Sequence, residues 1–197
     1  MKMQSLRDLY IEQLQDLYNA ENQLIKALPK MAKGATSEEL REAIREHLEV
    51  TRSQASRLEE LFSKLEENPK GKKCKAMEGL VEEGAEVLEE DMEDEVRDAA
   101  LIAAAQRVEH YEIAGYGTVR TYATLLGDDE AAEVLQEILD EEKQADTKLT
   151  SLAEEINVDA TAEGQGDEAR REQIEGEQEQ PSVKKGRNAA GRNKSAA

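Results

Sequence analysis

Apolar residues recur every three to four positions along most of this chain, and the pattern runs twice. A shift of 91 positions lays Leu101 on Tyr10, Ile102 on Ile11, Val108 on Leu17 and Val119 on Leu28 without a gap. The same shift lays Leu135 on Ile44, Leu139 on Leu48, Leu149 on Leu58 and Leu152 on Leu61. A period near 3.6 places such residues on one face of a helix. Two copies of one amphipathic helical hairpin therefore have to bury their stripes against each other. One further match is not apolar, because Glu112 falls on Glu21, in the middle of the stripe in both copies.

The punctuation between stripes gives the element order. Helix A is predicted from Ser5 to Lys33 and ends at Gly34, with Pro29 able to kink or shorten it. Thr36 or Ser37 caps helix B, and Asn68-Pro69 with Gly71 closes it. A shorter crossover helix covers Ala76 to Asp91. Helix C runs from Asp94 to Leu126, and Gly127-Asp128-Asp129 turns the chain into helix D, which runs to Ile156. Four long helices with one long B-to-C connection predict an all-α fold, a ferritin-like four-helix bundle with a short crossover helix. Aromatic residues make up only 3% of the chain, which fits Ala/Leu-rich helices rather than a β-sandwich.

After Ile156 the stripe stops. Residues 1–157 form the expected folded domain, and residues 158–197, rich in Gly, Gln and charge, are predicted to be a disordered tail. Net charge is −19, and because residues 160–197 hold seven acids and seven bases, the body carries all of it. That excess argues against nucleic acid as a partner of the folded body. The last seventeen residues hold five bases and no acid, so the basic end of the tail is a candidate interaction segment. No apolar run suggests a signal peptide or a membrane span, and the one cysteine excludes an internal disulfide, so a cytoplasmic location is expected.

Angular placement then picks out polar residues that point inward. At about 100° per residue, Glu21 lies between Leu17 and Leu24 on helix A. On helix C, Glu109 and Glu112 lie among Ile102, Ala105, Val108, Ile113 and Tyr116. Glu142 lies among Leu135, Ile138, Ala145 and Leu149 on helix D, flanked by Glu141 and Asp146. His47 lies among Leu40, Ile44 and Leu58 on helix B, with Thr51 and Gln54 above it. Glu49 and His110 point away from their stripes and are not expected to be ligands. Tyr18, the repeat partner of Glu109, and Tyr116 fall near the same level. Four buried carboxylates cannot all stay ionised unaided, because burial and mutual repulsion raise their pKa values. No Lys or Arg falls on these stripes to neutralise them. Two divalent cations would, so Glu21, His47, Glu109, Glu112 and Glu142 are the expected metal ligands. A carboxylate-rich set with one imidazole suits iron ahead of manganese.

The segments DLYNAENQLIKALPKM, EHLEVTRSQASRLEELF, CKAMEGLVEEGAEVLEE, EVRDAALIAAAQRVEHYEIAGYGT and LDEEKQADTKLTSLA resemble the YciE/YciF family of ferritin-like bacterial stress-response proteins over about residues 4–156. The resemblance implies a ferritin-like bundle, a dinuclear metal centre, a homodimer and a place in stress response; it implies no particular reaction. The broader di-iron pattern carries Glu-x-x-His on two helices. Here helix D has Ala145 at the His position, and helix B has His47 and Gln54 with Val50 and no inward Glu, so the helix B side looks poor in ligands. Three functional classes fit these residues: a di-metal protein handling peroxide or oxygen, an iron store, and a non-enzymatic stress or interaction bundle with a structural or vestigial metal.

Overall fold

The computed structural model describes the backbone of residues 3–178 and the side chains of residues 3–161. It consists of five helices: α1 (Leu6–Gly34), α2 (Glu38–Lys64), α3 (Lys75–Glu89), α4 (Asp94–Leu126) and α5 (Asp129–Gln178). No strand occurs among the described residues. The all-α bundle of four long helices with a short crossover helix is the architecture expected from the sequence. Everything described below lies in the compact unit Met1–Thr161; the second unit, Ala162–Ala197, is described only along the backbone of α5 as far as Gln178.

The ends of the elements follow from local chemistry. Ser5 caps α1 through Asp8 N–H while the Asp8 carboxylate reaches back to the Ser5 N–H, a reciprocal box. Pro29 does not end α1. It is exposed and lacks only the bond to the Ile25 carbonyl, which water can replace on that side. Of the two candidate caps for α2, Ser37 is the one used, accepting from Leu40 N–H. Gly127 takes φ +77°, the left-handed conformation that glycine adopts without steric cost, and closes α4. One boundary differs: α5 continues past the expected end at Ile156 to Gln178. No proline interrupts that stretch, the next being Pro181, and loss of an apolar stripe removes a packing partner without breaking a helix. The tail expected to be disordered falls, over residues 179–197, outside the described residues.

The interior is two apolar clusters rather than one. On the side where α3 packs against α1 and α4 lie Leu24, Leu28, Leu40, Ile44, Met77, Leu101 and Val108, with Leu149 from α5. At the far end lie Tyr10, Leu14, Leu17, Leu58, Phe62, Tyr116, Val119, Leu135 and Ile138. The 91-residue repeat exchanges the clusters: Leu28 belongs to the first and its counterpart Val119 to the second, and Leu58 and Leu149 swap the other way. The two hairpins are thus related end for end, and the repeat leaves one level in the middle that belongs to neither cluster.

A third buried feature ties the hairpins together. Asp98, 2% exposed, accepts from Thr36 N–H (2.9 Å), Ser37 N–H (2.7 Å) and Thr36 Oγ1–H (2.6 Å). It pins the start of α4 to the α1–α2 loop and sits beside the N-terminus of α2, where its charge is favoured. Replacing Asp98 with Ala leaves these donors without their acceptor. We expect a loss of about 2–3 kcal/mol, at the charged-hydrogen-bond end of the range, read as a lower denaturant midpoint with unchanged slope.

Candidate metal centre

The middle level is polar. Leu17 and Leu24 on α1 bracket Glu21; Ile44 and Leu58 on α2 bracket His47, Thr51 and Gln54; Val108 and Tyr116 on α4 bracket Glu109 and Glu112; Leu139 and Leu149 on α5 bracket Glu142. Each helix contributes at the height where its apolar stripe passes from one cluster to the other. Gly115 lets α1 and α4 approach at this height, since a Cβ there would stand 2.7 Å from Leu17 Cδ2.

Four of the five expected ligands converge. His47, Glu109, Glu112 and Glu142 each offer one ligand atom, and these atoms lie within 4.8 Å of one another. His47 Nε2 stands 3.3 Å from Glu109 Oε1. Glu21 lies beside this group rather than in it; its carboxylate is fully buried, interacts with Glu112 and accepts from the Tyr116 hydroxyl. Glu49 is exposed and paired with Arg52, and His110 is exposed with Nε2 3.4 Å from Asp146. Both lie outside the cluster, as their helical angle implies.

Burial sets the electrostatics. Loss of hydration pushes the Glu21, Glu109 and Glu112 carboxyls well above the usual carboxylate range, and the charges of their neighbours push further. Burial likewise raises Glu142 to about 7, against hydrogen bonds that favour its ionised form. Burial lowers His47 to about 4, so its imidazole is neutral and the contact with Glu109 is not an ion pair. Every one of the four acids keeps a buried oxygen with no donor: Glu21 Oε2, Glu109 Oε2, Glu112 Oε1 and Glu142 Oε2. Unpaired buried acceptors are rare because each costs about 1–3 kcal/mol, more when charged. Four at one level, next to a neutral imidazole, make a cluster of potential ligand atoms whose charge, when ionised, is left without a partner.

The surroundings correct one expectation. A cation does reach this level: Arg57 on α2 binds Glu141, and its charge favours ionised Glu21 and Glu142. It sits at the edge of the stripe, three positions past Gln54, where angle alone does not show whether so long a side chain turns inward. One guanidinium engaged with Glu141 still leaves the four buried acids uncompensated. Gln54 is buried and donates to Glu142 and, at 3.1 Å, to Glu141, so it holds the cluster from the α2 side. Asp146 is drawn off to Gln106 and His110. Tyr18 turns to Glu59, away from the cluster. The role of Tyr116 as donor to Glu21 was missed beyond its being at the right level; its place on the stripe was the available signal.

Known proteins carry the same framework. Residues 5–162 match the family described as "Domain of unknown function (DUF892)". Protein YciF of Escherichia coli (strain K12) is 52% identical over 155 residues, spanning 78% of this chain and 93% of that protein. The crystal structure of the E. coli stress protein YciF superimposes with a TM-score of 0.76, covering 78% of this chain and 98% of that one at 49% identity. YcfI of Rhodopseudomonas palustris gives 0.73 at 45% identity, covering 76% of this chain and 95% of that one. A protein of Xanthomonas campestris pv. campestris, at 22% identity, shares the fold with a TM-score of 0.66, covering 82% and 99%. The segments that resemble YciE/YciF are thus those of a true relative, and the chain belongs to the DUF892 family together with YciF.

Proposed function

We propose that this bundle is a ferritin-like stress-response protein that holds two divalent metal ions, iron ahead of manganese, in its polar middle level. The observation that carries the reading is the set of donorless buried oxygens on Glu21, Glu109, Glu112 and Glu142 beside the neutral imidazole of His47. Hard oxygen donors with one imidazole match the preference of iron and manganese. Glu109, Glu112, Glu142 and His47 would hold one ion, and Glu21 with Glu112, its repeat partner, would extend the site to the second. When bound, such metals supply electron-transfer chemistry toward peroxide or dioxygen. The chain's own part is to orient the ligands. Tyr116 fixes Glu21, Gln54 fixes Glu142, and the apolar clusters pack above and below the level. Resemblance to YciF supports placement in a stress response, with a homodimer in the cytoplasm as the expected state. No helix among the described residues is long and apolar enough to cross a membrane.

One observation favours a second reading, a non-enzymatic bundle with a structural or vestigial metal. From α2 only His47 is a ligand candidate in the cluster, and the amide of Gln54 occupies that side. Peroxide turnover by metal-loaded protein separates the two readings: turnover selects redox chemistry, and bound metal without turnover selects the structural role.

Natively purified protein should carry about two ions per chain by elemental analysis. Glu112→Gln should lose at least one of them. It should also lower the melting temperature of the metal-loaded protein while leaving the metal-free form unchanged or more stable. Equal destabilisation of both forms, or no metal in the parent, would refute the centre.

The metal-free protein should lose stability as pH rises. The four carboxyls bind protons more tightly folded than unfolded, so their penalty grows above the unfolded value of 4.5 and through the raised folded values, Glu142 at about 7 included. His47 opposes this between its folded value of about 4 and its ordinary 6.5, where the unfolded chain binds the proton. Above 6.5 that opposition is gone. Unfolding free energy in chelator should therefore fall between pH 6.5 and 8, by up to about 1.4 kcal/mol per pH unit for each titrating group, read as a falling melting temperature. With metal bound the sign reverses, because acid displaces the ions.

A further inference from the structure

A cavity of about 250 Å³ opens between α2 and α5 and ends on His47 and Glu109. Its walls are Leu28 and Met31 from α1, Ala43, Ile44 and Val50 from α2, Ala105 from α4, and Ala145 and Leu149 from α5, with Glu141 and Gln144 of α5 adding polar groups. Three of these are alanines, on three different helices. One wall position has a further meaning. Ala145 lies three residues beyond Glu142, where the Glu-x-x-His pattern would place a histidine. It is apolar instead, and space stands where that side chain would have reached. At the mouth, Lys148 pairs with Glu46 across the opening; both are half-exposed, and such surface pairs are worth little, so the mouth opens at small cost.

We propose that this cavity binds a small uncharged apolar organic molecule, an aromatic ring with a short side chain or an aliphatic chain of similar bulk, with its inner end against His47 and Glu109. Size and lining carry the assignment. An apolar protein cavity of about 150 Å³ already takes up benzene, and this one is larger. Its lining is mostly apolar, with polar groups at the inner end and at the rim, the arrangement of a ligand pocket. A charged molecule is disfavoured, because Glu141 and Lys148 on the lining are already paired, with Arg57 and Glu46. As a substrate pocket the cavity rests on the metal-centre reading; as a binding site it does not.

The test uses the full chain freed of metal, with benzene and indole as probes. The protein has two histidines, and His110 is exposed and outside the cavity, so the His47 ring is a local reporter. Saturable displacement of the His47 ring resonances, with those of His110 unmoved, is expected. Ala145→Leu should fill the space and weaken probe binding at least tenfold with the fold retained; Val50→Phe, from the opposite wall, should do the same and stands in if Ala145→Leu does not fold. Absence of saturable binding, shifts shared equally by His110, or binding indifferent to both variants would overturn the proposal. Because no metal is present, these outcomes are independent of elemental analysis: probe binding by a protein that never takes metal sustains the pocket and sinks the metal centre, and the converse sinks only the pocket.

Discussion

Four carboxylates buried at one height of a helical bundle are the constraint on which the rest of this structure turns. Each of Glu21, Glu109, Glu112 and Glu142 is at most 2% exposed, and each retains an oxygen without a donor. An ionised carboxylate taken from water without compensation costs several kcal/mol even after relaxation, comparable as a set to the whole stability of a domain this size. The apolar clusters on either side must supply that stability, since the middle level subtracts from it until its charge is balanced. A split core is the consequence. Tyr10, Leu14 and Leu58 at one end, and Leu24, Leu40 and Leu101 at the other, are each fully or almost fully buried.

The internal repeat gives this layer its symmetry and also its asymmetry. The end-for-end relation of the hairpins brings Glu21 and Glu112 to equivalent places. The other pairs have diverged: Thr51 is the counterpart of Glu142, Tyr18 of Glu109, Gln54 of Ala145 and Ile138 of His47. The second hairpin therefore gives three acids and the first gives one acid and the imidazole. Thr51 spends its hydroxyl on the His47 carbonyl within α2 and adds nothing to the cluster. The charge is consequently weighted toward α4 and α5, and it is on that side that Arg57 and Gln54 reach across from α2 to Glu141 and Glu142. Donors on one half answer acceptors on the other, which ties the hairpins together through the polar layer.

How much of this could be read from sequence depends on the range of the interaction. Helix angle is local, so it placed Glu21, His47, Glu109, Glu112 and Glu142 at one level and turned Glu49 and His110 outward. Caps are local too, and Ser37 and Gly127 do what their chemistry dictates. Asp98 was invisible because its partners, Thr36 and Ser37, are some sixty residues away and join it only once the hairpins have docked. Arg57 was misjudged because a long side chain at a stripe edge is aimed by its partner, Glu141, not by its own helix. The end of α5 differs for another reason: an apolar stripe marks where a helix packs, not where its backbone hydrogen bonding stops, and α5 runs on to Gln178.

The asymmetry of the layer and the cavity beside it are two sides of one substitution pattern. The Glu-x-x-His pattern would place a histidine at position 145. Ala145 stands there, and with Val50, Ala43 and Ala105 it lines a space that reaches His47. Small residues facing one another on three helices would normally draw those helices together to restore packing density. Beside this space the Gln54–Glu142 and Arg57–Glu141 bonds tie α2 to α5 and set their spacing at the level of the acids. The ligand pocket proposed above lies against that layer on the α2 side. The absent histidine and the space beside the layer thus meet at one residue, Ala145.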